Sequence, residues 1–218
     1  MKRIILTLVM LISSVSLTFS QSETKNNNYP YSVGPFITMK GGVNAASVPQ
    51  GIQNGFAINS MPDIGVTGYV PLTNTFPLGI AIDIAYSTYC YDNKLTGNNT
   101  LKWTSNAGYF TFGPNLYIGG FNIGFNFGIP LAMSLDKYKG QTWDVKSEQL
   151  ASFLEFRLGG MIPVYSDNFG RLNILVQAGY FLTPQFKSDM IPSFYDDLNF
   201  HPASASLGIS YLFNLIKK

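Results

Sequence analysis

The stretch FNIGFNFGIPLAMSL, Phe121 to Leu135, is apolar at every second position: Phe121, Ile123, Phe125, Phe127, Ile129, Leu131, Met133 and Leu135. Between them stand Asn122, Gly124, Asn126, Gly128, Pro130, Ala132 and Ser134, all polar, small or ring-closed. A two-residue period sends each set to its own side of a β-strand, so one face of a very long strand is wholly apolar. Strands of soluble proteins rarely run so long. A tilted strand crossing a bilayer needs about 9 to 11 residues, with its apolar side toward lipid.

The same alternation recurs along the chain, and eight strands are expected. The first runs from about Val33 to Ala45, with Val33, Pro35, Ile37, Met39 and Val43 opposite Thr38, Lys40 and Asn44. The second, about Phe56 to Val70, sets Phe56, Ile58, Ile64, Val66 and Val70 against Asn59, Asp63, Thr67 and Tyr69. In the third, Leu78, Ile80, Ile82, Ile84 and Tyr86 oppose Ala81, Asp83, Ala85 and Ser87. Phe110, Phe112, Leu116 and Ile118 face away from Tyr109, Thr111, Asn115 and Tyr117 in the fourth. Gly119 and Gly120 then form a two-residue hairpin into the fifth strand.

The sixth strand opposes Leu150, Leu154, Phe156, Leu158 and Ile162 to Phe153, Glu155 and Arg157. In the seventh, Leu172, Ile174, Val176, Ala178, Tyr180 and Leu182 face away from Asn173, Gln177 and Gly179. The eighth sets Ala203, Ala205, Leu207, Ile209, Tyr211 and Phe213 against Ser204, Ser206, Gly208 and Ser210. Short connections, Pro71 to Pro77, Gly119 to Gly120 and Tyr165 to Gly170, alternate with longer ones, Ser47 to Gln53, Tyr91 to Asn106, Asp136 to Gln149 and Pro184 to Phe200. The expected fold is all-β: an eight-stranded antiparallel up-and-down transmembrane β-barrel with short periplasmic turns and longer extracellular loops.

The chain starts with Lys2 and Arg3, an apolar run from Ile4 to Ile12, then small and polar residues to Ser22. That order is a secretory signal peptide, expected over residues 1–20 with cleavage near Ser20 and Gln21. Residues 21–32 are then a short periplasmic tail, 33–213 the barrel and 214–218 a C-terminal tail. The sole cysteine, Cys90, excludes an internal disulfide and lies too far along to carry a lipid anchor. Loss of Lys2 and Arg3 lowers the 14 basic residues to 12, level with the 12 acidic ones, and nucleic-acid binding has no support. Charged residues make up only 12% against about 25% in ordinary soluble domains.

Strand-borne ions should avoid lipid, where an Arg or Lys near the midplane costs about 2–4 kcal/mol. Lys40, Asp63, Asp83, Glu155 and Arg157 all share the parity of the polar faces. The interior of an eight-stranded barrel is just wide enough for side chains to fill. Lys40 and Arg157 are therefore expected to bridge Asp63, Asp83 and Glu155 in a plugged lumen. Tyr86, Tyr89, Tyr91 and Trp103 on the long-loop side, and Phe121, Tyr211 and Phe213 on the other, read as two aromatic girdles at the lipid interfaces. Gly120, Gly124 and Gly128 are read as lumen-facing, making room for bulky groups such as Tyr109 and Tyr117.

Ser206, Gly208, Tyr211 and Phe213 fit the spacing polar, any, Gly, any, any, aromatic, any, aromatic. This resembles the β-signal read by the barrel assembly machinery, although Asn214 to Lys218 follow the final aromatic. The whole pattern from Val33 to Phe213 resembles the small eight-stranded bacterial outer-membrane barrels of the OmpA transmembrane-domain and OmpX type, with the general character of the PorT-like barrels of Bacteroidetes-type bacteria. The resemblance implies an exported, Gram-negative outer-membrane protein whose partners are outer-membrane lipids, the assembly machinery and an unspecified envelope or extracellular protein. It implies no particular activity.

His201 is the only histidine, and with Ser204 and Asp196 or Asp197 it is the sole hint of an envelope-lipid-modifying enzyme. A lone histidine beside Pro202 in an Asn- and aromatic-rich loop reads as a surface residue, so no catalytic residue is assigned. No ligand set for a metal is present, and no cofactor is expected. The apolar loop residues Met190, Ile191, Phe194 and Tyr195 are a candidate lid or contact surface. The expected role is non-enzymatic, structural or interactive through the outer loops. Binding or passage of a small hydrophobic compound is the alternative. A lipocalin-like barrel would need the apolar face turned inward, leaving Asn and Gly faces in water.

Overall fold

The computed structural model describes residues 30–48, 50–73, 76–137, 142–187 and 200–215. The expected signal peptide, most of the loop holding Met190 to Asp197, and Lys217 and Lys218 lie outside the described residues. Eleven strand segments form: β1 (Ser32–Asn44), β2 (Ile52–Gly55), β3 (Ala57–Ile58), β4 (Asp63–Pro71), β5 (Leu78–Leu95), β6 (Asn98–Ile118), β7 (Phe121–Lys137), β8 (Thr142–Val145), β9 (Phe153–Ser166), β10 (Gly170–Phe181) and β11 (Pro202–Asn214). Eight of them, β1, β4, β5, β6, β7, β9, β10 and β11, pair antiparallel in a ring that closes where β11 meets β1, with Ile37 opposite Ile209 and Ser32 opposite Asn214. Short β2, β3 and β8 extend the ring on the long-loop side by pairing with β5, β1 and β7. Closure of the ring gives each of its eight strands a neighbour on both sides, which satisfies most of the backbone groups by ladders.

The faces sort by parity. Phe125 is 42% exposed and Ile82 41% exposed, whereas the neighbouring Asn126 and Asp83 are 0% and 6% exposed. Outward residues on the other strands, among them Ile64, Val66, Phe110, Phe112, Ile174 and Leu207, carry the same apolar character around the ring. Thr38, Lys40, Asp63, Thr67, Glu155, Arg157 and Asn173 are buried inside. An apolar exterior around an ionic interior is stable only when hydrocarbon wets the outside. The architecture is accordingly an eight-stranded up-and-down transmembrane β-barrel. The lipocalin-like alternative requires the reverse orientation.

Four local expectations change. First, alternation does not continue unbroken to Leu135. Gly108 pairs with Ala132 and Tyr109 with Pro130, which leaves Leu131 as the extra residue of a β-bulge. The shift turns Met133 into the interior, 3% exposed, and draws Leu135 against the inner cluster. Pro130 has no N–H to give a ladder, and a bulge is where a strand accepts such a residue. Second, Tyr91 to Asn106 is not a loop: β5 and β6 continue as a projecting hairpin to a turn at Thr96 and Gly97, the glycine at φ 84°. Third, the second strand is broken between Ile58 and Asp63. Fourth, Leu150 precedes β9 and is buried, 1% exposed, against the inner cluster rather than facing lipid.

The inward glycines match large neighbours. A Cβ on Gly79 would strike the Tyr69 ring, on Gly128 the Phe153 ring, on Gly179 the Glu155 carboxylate and on Gly124 the Asn115 amide. Gly120 differs from the expectation: at φ 88° it belongs to the β6–β7 turn with Gly119. Gly124 and Gly128 do face inward, but they accommodate Asn115 and Phe153 rather than Tyr109 and Tyr117.

Candidate functional site

The lumen is built in three tiers. Uppermost, toward the long loops, Tyr89, Ala107, Tyr109, Met133, Leu150, Phe153 and Phe181 form a buried cluster, with Leu135, Val145 and Phe186 packed against it. Phe153 and Phe181 stack at 4.0 Å, and the edges of Tyr109 and Tyr89 meet them at 4.7 Å and 4.8 Å respectively. The segment after β10 closes over these rings. Gln185 is fully buried and accepts a 2.7 Å hydrogen bond from the Tyr91 hydroxyl. Its backbone N–H donates to Phe200 and its carbonyl accepts from Ala151, both at 2.9 Å.

The middle tier holds ions. Lys40 Nζ lies 2.6 Å from Asp63 Oδ2 and 3.6 Å above the centre of the Tyr89 ring. Arg157 Nε donates to Glu155 Oε2 at 2.8 Å. The same carboxylate accepts from the Tyr89 hydroxyl at 2.7 Å, from Asn126 at 3.1 Å and, on its other oxygen, from Ser204 at 3.3 Å. Asp83 makes no direct ion pair; Thr67 and Asn115 donate to its two oxygens at 2.7 and 3.0 Å. Expected bridging of all three acids by two cations is thus replaced by two pairs plus one carboxylate held by neutral donors. Asp83 lies on β5 directly opposite Thr67 of β4, and Asn115 of β6, diagonal to it beside Ala81, reaches its other oxygen.

Below, Tyr69, Ala81, Tyr117, Met161, Leu175 and Leu212 form a second buried cluster, with Phe36 against it. Arg171, on β10 with the inward parity of Asn173, lies over the Tyr69 ring at 5.3 Å. Alternation from Leu172 onward does not reach Arg171, which β10 includes as a strand residue. With it, Lys40, Arg157 and Arg171 balance Asp63, Asp83 and Glu155 inside the wall. Within the ionic tier is a cavity of ≈ 10 Å³ lined by residues that include Lys40, Glu155, Arg157 and Ser204, about the volume one water needs.

Tyr89 is corrected from girdle to core. It is 1% exposed, and the inward parity of Asp83, Ala85 and Ser87 runs straight through it. Trp103, half-buried on the projecting hairpin, likewise has the inward parity of Ser105 and Ala107. Tyr86 does face out, and its hydroxyl lies over Gly108. Phe121 has outward parity at the short-turn end, where Tyr211 and Phe213 meet edge to face at 4.8 Å. Ser206 and Gly208 point inward opposite Lys40 and Thr38 across the closing seam.

His201 and Ser204 are not brought together. The His201 ring bonds the Phe181 carbonyl at 2.8 Å and stacks on Tyr180, whereas Ser204 reaches Glu155. Asp196 and Asp197 lie outside the described residues. Among those residues, no cluster of three His, Cys, Asp or Glu side chains is arranged to hold a metal. At the short-turn end, Asp167 accepts from the N–H groups of Phe169 and Gly170 at 2.8 and 2.9 Å. The Gly170 bond, then the Phe169 bond, holds its carboxyl below the ordinary range.

No protein-family model and no curated protein sequence matches the chain. Among solved structures, the chain is similar to Neisserial surface protein A, with a TM-score of 0.41 and 9% identity over 85% of this chain and 97% of that one. It is also similar to Ail, the attachment invasion locus protein of Yersinia pestis, at TM-score 0.34 and 10% identity over 84% and 99% of the two chains. The outer membrane protein OprG from Pseudomonas aeruginosa aligns at TM-score 0.31 and 7% identity over 87% and 97%.

Proposed function

We propose that the chain is a non-conducting, non-enzymatic protein of the bacterial outer membrane that acts through the surface it presents on the long-loop side. The filled lumen carries this reading. Two apolar clusters enclose an ion-paired tier, and the space lined by Lys40, Glu155 and Arg157 is ≈ 10 Å³. An ion would have to displace the Phe153–Phe181 stack and the buried Gln185, and then compete with two formed salt bridges. Export by the N-terminal segment and insertion through the assembly machinery belong to the same proposal, as do partners among outer-membrane lipids and an envelope or extracellular protein.

The projecting β5–β6 hairpin, braced by β2 on one side and β7 on the other, supplies a rigid platform beyond the lipid-facing band. Such a platform suits recognition by a partner more than transport. Purified full-length chain in planar bilayers is expected to give no stable channel. A steady ohmic conductance would overturn the plugged reading, and recovery of native protein from the soluble periplasm would overturn the membrane one.

A further inference from the structure

The barrel wall is not uniformly laddered. β4 pairs with β5 as far as Ile64 opposite Tyr86, and β2 resumes the pairing at Gly55 opposite Asp92. Ser87 to Tyr91 therefore have no ladder partner on that side. Side chains replace it. Thr88 N–H donates to Asp63 Oδ1 at 2.8 Å, and Asn59 Nδ2 donates to the Thr88 carbonyl at 2.5 Å. Thr88 Oγ1 ties back to the Met61 carbonyl at 2.9 Å.

Behind this stretch β1 and β5 come together directly, so that a Cβ on Gly42 would lie 2.5 Å from the Cys90 carbonyl oxygen. The chain from Phe56 to Pro62 is a detour over the outside. Phe56, Ile58 and Met61 are 60%, 68% and 54% exposed, while Ala57 and Asn59 are buried. Cys90 has the outward parity of Tyr86 and Thr88, yet it is only 2% exposed. β3, within the detour, touches β5. The second oxygen of Asp63 is the one paired with Lys40, which lines the internal cavity. A chain of polar contacts thus runs from the lipid-facing surface at Thr88, through Asp63 and Lys40, to the middle tier.

We propose that this detour is a lateral flap, a place where the wall can part without breaking the β4–β5 ladder, joining the polar tier to the lipid leaflet on the long-loop side. Its latch is Asp63, which holds the β5 backbone with one oxygen and the lumenal lysine with the other. Where the ring is laddered, parting two strands removes a row of backbone hydrogen bonds in a medium with no water to replace them. Here the detour keeps its pairing with β1, and parting it from β5 costs a few side-chain contacts. The gap would face hydrocarbon, which admits an amphiphile and not an ion, so a closed axial path and an openable wall coexist.

Cys90 reports the flap. The full chain, refolded in lipid vesicles, is treated with a membrane-permeant maleimide, and heat-modifiable gel mobility is read in parallel so that loss of the barrel is seen separately. Wild type is expected to label slowly. Asp63→Ala, or Asn59→Ala should Asp63→Ala fail to fold, is expected to label about tenfold faster, as local opening becomes less costly. Asp83→Asn, which alters a buried carboxylate away from the flap, is expected to label at the wild-type rate. Equal rates in all variants, no labelling in any of them, or equal acceleration by Asp83→Asn would overturn the proposal.

Discussion

At the scale of the residue, Glu155 is the most heavily bonded group of the lumen, held by Arg157, Tyr89, Asn126 and Ser204. Removing one member of a buried pair strands the other charge, at about 3–5 kcal/mol. Arg157→Leu is expected to lose that much in urea unfolding from lipid vesicles, and the double change with Glu155→Gln to recover part of it. A double change no more stable than Arg157→Leu would show that the two side chains do not depend on each other. Asp167 makes a different prediction. Its carboxyl is depressed by the Gly170 and Phe169 N–H groups, so its contribution is complete above the ordinary Asp value of 3.8 and fades as pH falls through the lower folded value. The stability advantage of wild type over Asp167→Ala should be full at neutral pH and shrink in acid. An advantage that grows in acid would contradict the turn geometry.

At the scale of the element, β7 shows where a sequence pattern and a strand part company. Apolar alternation alone sends Leu131 and Met133 to the same side, but the bulge beside Pro130 separates them: Leu131 is half exposed and Met133 is buried. In a Cys90→Ser background, Leu131→Cys is expected to react readily with a lipid-phase thiol reagent and Met133→Cys to stay protected. Equal reactivity would restore the unbroken strand. Residue type could not reveal the bulge, because methionine packs as well in an aromatic cluster as against acyl chains. Tyr89 is the opposite case. Its inward parity is legible from Asp83 to Ser87, whereas aromatic character alone assigns it to the girdle, although a tyrosine inside can bond a carboxylate through its hydroxyl.

At the scale of the whole molecule, closure depends on Gly208. A Cβ there would collide with the Ile37 carbonyl oxygen and with Thr38 across the β1–β11 seam. Gly208→Leu is expected to abolish heat-modifiable mobility on refolding into lipid vesicles without any assembly machinery. Normal refolding of that variant would assign the glycine to recognition by the machinery rather than to closure. The same seam sets the stagger of the whole ring, and the stagger decides which lumenal groups meet. Lys40 reaches Asp63 on the adjacent strand, whereas Glu155 meets Tyr89 from across the interior.

The sequence by itself determined the sidedness of most of the wall: which face of each strand meets lipid, that Lys40, Asp63, Asp83, Glu155 and Arg157 lie within, and that eight strands alternate long and short connections. These are properties of a two-residue period, which each strand carries locally. Tertiary structure alone decided which acid pairs with which base, that Asp83 is left to Thr67 and Asn115, where β7 bulges, and that residues 56–62 leave the ladder. Those depend on register between strands distant in sequence and on the stagger imposed when β11 meets β1, and no single strand holds that information.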